Sequence, residues 1–115
     1  ELHRAEPAKV DPLAMTKKLQ AQYTPFAYVD GTHFYDSFGH LMGYSSMYYT
    51  YMWSLVIAKD LMSPFKKSGL MATDVTRKYR DTILVPGGSK PAADLVKDFL
   101  GRPYNFKAFE KYLSE

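Results

Sequence analysis

The chain has 115 residues, of which 46% are hydrophobic and 23% are charged, with no cysteine and a formal net charge of +3. This length allows one domain, and the composition is typical of a globular protein rather than a disordered one. Basic and acidic residues alternate along the chain, which argues against nucleic-acid binding, while the absence of cysteine excludes disulfides and favours a cytoplasmic location.

The first predicted element is a short helix that begins at Asp11-Pro12. The aspartate side chain can accept hydrogen bonds from the free N–H groups of a first turn, and proline is well tolerated at the first helical position. The pattern continues to about Tyr23, because Pro25 favours an extended conformation in the residue before it.

The stretch from Thr24 to Gly43 shows no sustained periodicity and is interrupted by Pro25, Asp30-Gly31 and Gly39. It is nevertheless too rich in aromatic residues for a solvated linker, since it contains Phe26, Tyr28, Phe34, Tyr35 and Phe38. A long aromatic loop in a chain of this size indicates a packed functional segment.

From Tyr44 to Lys67 the sequence is apolar on most faces of a helix, which predicts one long, central, buried helix. Ser68-Gly69 would end it, and Pro64 should bend its last turns.

Three shorter helices are predicted after it, over Thr73–Leu84, Ser89–Leu100 and Asn105–Leu113. Pro86-Gly87-Gly88 and Gly101 are the stop signals, and Ser89 and Asn105 are the predicted N-caps. The expected inward positions are Val75, Tyr79, Ile83, Leu84, Leu95, Phe99, Leu100, Phe106, Phe109, Tyr112 and Leu113. With no strand pattern or repeat, the predicted fold class is all-α with about five helices. Tyr79-Arg80 and Gly101-Arg102 are expected to tie helices together.

The histidines give no metal-binding pattern. His3, His33 and His40 lack the spacing that places two imidazoles on one helical face, and no serine has the surroundings of a nucleophile. We therefore expect no metal ligand in this chain, and no catalysis by the chain alone.

The run from Phe38 to Ser54 is the best candidate for a functional site. On one continuous helix, Tyr44, Tyr48 and Tyr51 would share a face, where phenol hydroxyls can donate hydrogen bonds to peptide carbonyls or to an oxyanion. The same tyrosines could instead be core residues, and His40 could be structural. Gly39 and Gly43 suit either turns with positive φ or the close approach of a peptide backbone.

The motifs of this chain resemble the C-terminal signature of a zinc metallopeptidase family that includes thimet oligopeptidase, oligopeptidase A and dipeptidyl carboxypeptidase. The resemblance covers about residues 30 to 113 and begins with the run Phe38 to Ser54. It continues in order through Tyr79-Arg80, Ile83-Leu84, Pro86-Gly87-Gly88-Ser89 and Phe99-Leu100-Gly101-Arg102. Met42-Gly43 stands where many members have two glycines.

The resemblance implies a larger, mostly helical metallopeptidase fold with a deep channel, of which residues 1–115 are a single C-terminal segment. It implies a zinc ion bound by a His-Glu-x-x-His helix and a downstream glutamate, all upstream of this chain. The reaction would be hydrolysis of peptide bonds in short peptides by metal-activated water, with an upstream glutamate as general base.

By position, the resemblance makes Tyr51 and His40 the candidate catalytic residues. Tyr51 would donate a hydrogen bond to the scissile carbonyl, and His40 would contact the substrate. The candidate substrate-binding residues are Tyr44, Tyr48, Gly39 and Gly43.

Two other functions stay open at this point, namely a helical peptide-binding module without chemistry and a structural module whose tyrosines are all buried. Expected partners are short peptides and the remainder of the catalytic domain, not nucleic acid or a membrane. Because the chain begins at Glu1 without a methionine, we expect it to be processed or part of a longer polypeptide. A segment of this kind would also self-associate through exposed apolar patches.

Overall fold

The computed structural model describes residues 2–115, and every regular element in that range is helical. The prediction of an all-α fold is therefore confirmed. The residues up to Tyr49 form one compact unit, and Thr50–Glu115 form a second. Within the described range, no helix has both the length and the apolar character needed to cross a membrane.

The first unit is built around helix α1, Pro12–Tyr23, which begins and ends where the sequence predicts. The Asp11 carboxylate accepts a hydrogen bond from the Ala14 N–H at 3.0 Å, so the predicted N-cap is confirmed. Two single-turn helices follow, α2 over Phe34–Ser37 and α3 over His40–Gly43. Short 3-10 turns cover Leu2–Arg4, Pro7–Lys9 and Ser45–Met47.

The irregular segment after α1 is held to that helix by polar contacts. The Gln20 side-chain amide donates to the carbonyl oxygens of Phe26 and Ala27, each at 3.2 Å. The Lys17 ammonium lies 2.8 Å from Asp30. Phe26 is 77% exposed, so the backbone path here depends on hydrogen bonds rather than on burial of that ring.

The second unit contains the remaining helices. They are α4 over Thr50–Leu61, α5 over Ser63–Ser68, α6 over Thr73–Tyr79, α7 over Ala92–Leu100 and α8 over Lys107–Leu113. A π-helical turn, Arg80–Leu84, continues α6, and a 3-10 turn covers Gly87–Ser89.

The core of the second unit centres on Phe99, which is 2% exposed. Its ring lies 5.3 Å from the Tyr79 ring and 5.9 Å from the Phe65 ring, so α7 packs on α5 and α6. The other buried apolar residues are Val56, Val75, Leu95 and Val96. The expected role of Tyr79 in joining helices is confirmed.

The prediction of one long buried helix from Tyr44 to Lys67 is wrong. Ser45 adopts a left-handed backbone conformation with φ 50°, which interrupts a helix, and α4 begins only at Thr50. A second break falls at Met62, just before Pro64 enters the first turn of α5. Of the residues of α4 only Val56 and Asp60 are buried, because the helix is covered on one face.

Further details of the second unit differ from the sequence predictions, and Leu113, predicted to face inward, is 65% exposed. Ser89 does not cap a helix, because it lies in a 3-10 turn and α7 begins only after Pro91. Leu84 is 61% exposed, because the wider π-helical turn moves residues away from the face that an α-helix would bury.

The predicted end of α7 is confirmed, since Gly101 follows it in the left-handed conformation, with φ 71°. The predicted N-cap of α8 is displaced by one residue, because Phe106 occupies the N-cap position and has no side-chain hydrogen bond of that kind. The Asn105 side chain instead accepts a hydrogen bond from the Lys107 N–H at 3.0 Å, in the turn that leads into the helix.

A buried ion pair joins α4 to the connection between α7 and α8. Asp60 is 1% exposed, and its two oxygens accept from the two terminal nitrogens of Arg102 at 2.7 and 2.8 Å. The Asn105 N–H donates to the same carboxylate at 2.9 Å. The prediction that Arg102 ties helices together is confirmed, whereas Arg80 pairs with its neighbour Asp81 at 2.7 Å.

We predict that this ion pair makes stability depend on pH. The Arg102 hydrogen bonds outweigh burial and, with the Asn105 N–H, hold the pKa of Asp60 below its ordinary value. Stability from a carboxylate with a lowered pKa is present above the unfolded pKa of about 3.9 and is lost as pH falls through the folded pKa. Asp60→Asn should therefore lower the free energy of unfolding by about 3 kcal/mol at pH 7.

The difference between wild type and Asp60→Asn should shrink as the pH falls below about 5. Urea unfolding of both proteins between pH 7 and pH 3 measures it. A difference that stays constant over this range would contradict the assignment to Asp60.

Large apolar side chains at the surface lead to a second prediction. Met71 is 89% exposed, Met42 87% and Val85 72%. Such a surface favours association, so the purified chain should self-associate as its concentration rises. Light scattering from about 10 µM to 1 mM measures this, and Val85→Asp should reduce it. A monodisperse monomer over the whole range would count against the prediction.

Candidate functional site

His40 lies in a cluster of aromatic rings within the first unit. Its ring centre is 4.7 Å from that of Tyr44, 5.6 Å from Tyr48 and 5.9 Å from Phe38. Phe38 and Tyr48 also meet edge to face at 5.0 Å. Helix α3 starts at His40, and the following turn returns the chain so that Tyr44 and Tyr48 reach the same imidazole.

The cluster leaves its members accessible. His40 is exposed and Tyr44 is partly exposed, while Tyr48 is 43% exposed. Complete enclosure of His40 among apolar side chains would have excluded a contact with substrate, and it is not observed. The arrangement offers hydroxyl and imidazole groups on rings that hold one another in place, as a site that binds peptide carbonyls requires.

The predicted shared helical face of Tyr44, Tyr48 and Tyr51 is wrong. Tyr44 and Tyr48 flank the 3-10 turn that contains Ser45, outside any long helix, and they come together through His40. Tyr51 belongs to the second unit, in the first turn of α4, where it is 49% exposed. The prediction failed because it required α-helical geometry through Ser45.

Gly39 and Gly43 do not have positive φ, so neither is needed for a left-handed turn. A Cβ atom built on either glycine would meet no atom within 4 Å. Both glycines therefore border open space among the described residues. Ser45 is the only non-glycine residue with positive φ in the described range, and no sequence pattern predicts this conformation, because serine rarely adopts it.

The first unit also contains an apolar groove of about 590 Å3 between α1 and the segment that carries α2 and α3. Its walls include Leu19 and Tyr23 on one side and Phe34, Phe38 and Leu41 on the other. Phe38 therefore lines the groove and also contacts His40. His40 and Tyr44 do not line it.

Residues 2–115 do not form a complete metal centre by themselves. In residues 2–115 no three histidine, aspartate or glutamate side chains lie close enough together to hold an ion. A zinc site needs three or four such ligands.

Comparison with known proteins gives a match to the family model described as peptidase family M3, over residues 1–115. Saccharolysin of Saccharomyces cerevisiae is 44% identical over 82 residues, which is 69% of this chain and 11% of that protein. A thimet-like oligopeptidase of Dictyostelium discoideum is 37% identical over 76 residues, 65% of this chain and 11% of that protein.

Oligopeptidase A of Escherichia coli is 38% identical over 68 residues, which is 57% of this chain and 10% of that protein. The chain therefore spans about a tenth of the length of each of these relatives.

We predict that the purified chain retains no stoichiometric zinc and cleaves no peptide on its own. After dialysis against buffer with trace zinc, elemental analysis should find far less than one zinc ion per chain, and the same amount for His40→Ala. One tightly bound zinc ion per chain, lost in His40→Ala, would contradict this prediction.

Proposed function

Because the chain belongs to peptidase family M3, we propose that it is the C-terminal, substrate-side part of a zinc metallo-oligopeptidase that hydrolyses peptide bonds in short peptides. Relatives named saccharolysin and oligopeptidase A support a peptidase. The observation that carries the substrate-side role is the accessibility of polar groups on His40, Tyr48 and Tyr51, with Tyr44 partly exposed beside His40.

In this proposal the ligands of the zinc ion belong to polypeptide outside this chain. The partners of the chain are the remainder of the catalytic domain and short peptide substrates. A cytoplasmic location is part of the proposal and rests on the absence of cysteine.

The residues of the chain act as hydrogen-bond donors to the substrate. The Tyr51 hydroxyl donates to the carbonyl oxygen of the bond to be cleaved, where negative charge grows as the carbonyl carbon becomes tetrahedral. A neutral phenol suits this role, because it stabilises the developing charge without changing its own protonation state.

His40 and the tyrosines around it hold the substrate. His40 and Tyr44 contact the peptide, Tyr48 supports the imidazole through its ring, and the open space beside Gly39 and Gly43 admits the peptide backbone. Precise placement of a reacting bond contributes a large part of enzymatic rate enhancement, so these contacts matter for turnover as well as for binding.

Exposure of the tyrosines is the observation that separates the proposal from a purely structural module. A module that buries all of them within this chain does not fit, since Tyr48 and Tyr51 are 43% and 49% exposed in it. A peptide-binding module without chemistry differs from the proposal in the behaviour of Tyr51, which the following experiment tests.

We predict that Tyr51→Phe in the full-length enzyme lowers kcat about 10²–10³-fold with little change in KM, as for other donors to an oxyanion. Because Tyr51 is half exposed, the free energy of unfolding should change by roughly 1 kcal/mol or less. Turnover of a quenched fluorescent peptide and the urea midpoint should be measured on the same preparation.

Tyr49→Phe is the matched control, because it removes the same hydroxyl group from a tyrosine close to Tyr51 in the chain. Tyr49 is 67% exposed. Its kcat should equal that of the wild type. Unchanged kcat in Tyr51→Phe, together with a lowered urea midpoint, would remove Tyr51 from the mechanism.

A further inference from the structure

The segment that follows α7 contacts one face of α4 at two points along the helix. Trp53, Val56 and Asp60 are three and four residues apart, so they lie on the same side of the helix. All three are engaged, because Val56 is 3% exposed and the other two contact residues between α7 and α8. We call this side the held face.

The contact at the C-terminal end of the held face is the Asp60–Arg102 ion pair. The guanidinium donates two parallel hydrogen bonds, at 2.7 and 2.8 Å, one to each carboxylate oxygen. A paired contact of this kind sets orientation as well as distance, since rotation of α4 would break one bond or both. The Asn105 N–H adds a third bond from the same segment.

The contact nearer the N-terminal end is aromatic. The Trp53 ring meets the ring of Tyr104 edge to face at 5.5 Å and lies 6.0 Å from that of Phe106. Near the C-terminal end, beside Asp60, the Lys59 ammonium lies 3.4 Å from the centre of the Tyr112 ring on α8. Residues 102 to 106 therefore contact α4 at both ends, and α8 contacts it beside them.

Tyr51 lies on the opposite side of α4. It precedes Asp60 by nine residues, and at about 100° per residue this separation is two and a half turns. The contacts that fix the held face therefore also fix the direction in which Tyr51 leaves the helix. The Tyr51 side chain is 49% exposed.

We propose that Arg102, acting through Asp60, is a positioning residue. It sets the rotation of α4 about its axis and the position of α4 along that axis, and thereby the position of the Tyr51 hydroxyl. The functional part of this inference rests on the proposed function. A donor displaced by about 1 Å can cost about 10²-fold in rate, so loss of the paired contact reduces turnover even in a folded enzyme.

The test uses Arg102→Lys in the full-length enzyme. Lysine keeps the charge but presents a single ammonium, so it cannot make two parallel bonds to Asp60. Asp60→Asn is the second variant. The matched control is Val75→Ala, which removes buried volume from α6 in the same unit without altering the held face.

The first measurement reports position and does not depend on activity. 3-Fluorotyrosine is placed at position 51, and its 19F resonance is recorded in each variant. The resonance should shift or broaden in Arg102→Lys and Asp60→Asn and should stay at the wild-type position in Val75→Ala. A wild-type resonance in both Arg102→Lys and Asp60→Asn, or an equal change in Val75→Ala, would overturn the positioning role.

The second measurement is a double-mutant cycle. Arg102→Lys should lower kcat about 10- to 100-fold with little change in KM, and should lower it no further in a Tyr51→Phe background. An equal loss in both backgrounds would show that Arg102 does not act through Tyr51. If Tyr51→Phe alone leaves kcat unchanged, the proposed function fails, and the 19F resonance still decides whether Arg102 positions Tyr51.

Discussion

The buried carboxylate of Asp60 is the constraint on which the second unit depends. A buried charge costs several kcal/mol unless hydrogen bonds replace the water that it loses, and here Arg102 and Asn105 supply three. These partners lie 42 and 45 residues further along the chain. For the Asp60 carboxylate to receive these hydrogen bonds, α7 must end at Gly101 and the chain must turn back along α4 before α8 begins.

The first unit is ordered in a different way. It has no fully buried apolar residue among those described, and its irregular segment is held by the Gln20 amide and by the ring contacts around His40. Edge-to-face contacts of this kind contribute only about 0.5–1.5 kcal/mol each. A segment of modest local stability with polar groups at its surface can adapt to a ligand, which is a common property of binding loops.

The proposed function assigns different roles to residues of the two units. Tyr51 belongs to a helix whose opposite face is covered, whereas His40 and Tyr44 belong to short turns whose rings contact one another. A donor to a developing charge must be placed accurately before reaction, while groups that bind a peptide must tolerate different side chains.

Much of the fold could be predicted from the sequence because its signals are local. The all-α class, the start of α1 at Asp11-Pro12 and the end of α7 at Gly101 each depend on groups within a few residues of one another. The candidate residues of the site also came from the sequence, through the resemblance of the run Phe38 to Ser54. An aspartate beside Trp53 and Val56 on an apolar face could have indicated a buried ion pair, but not its partner.

Tertiary structure alone decided where α4 begins, which of its faces is covered and which rings surround His40. The backbone of Ser45 takes a conformation that serine rarely adopts, so no local pattern predicts the end of regular helix there. Arg102 meets Asp60 only after α7 and α8 have packed, because the energy of that pair depends on residues far apart in the chain. Local preferences determine which helices form, and long-range contacts determine which face of each helix is covered.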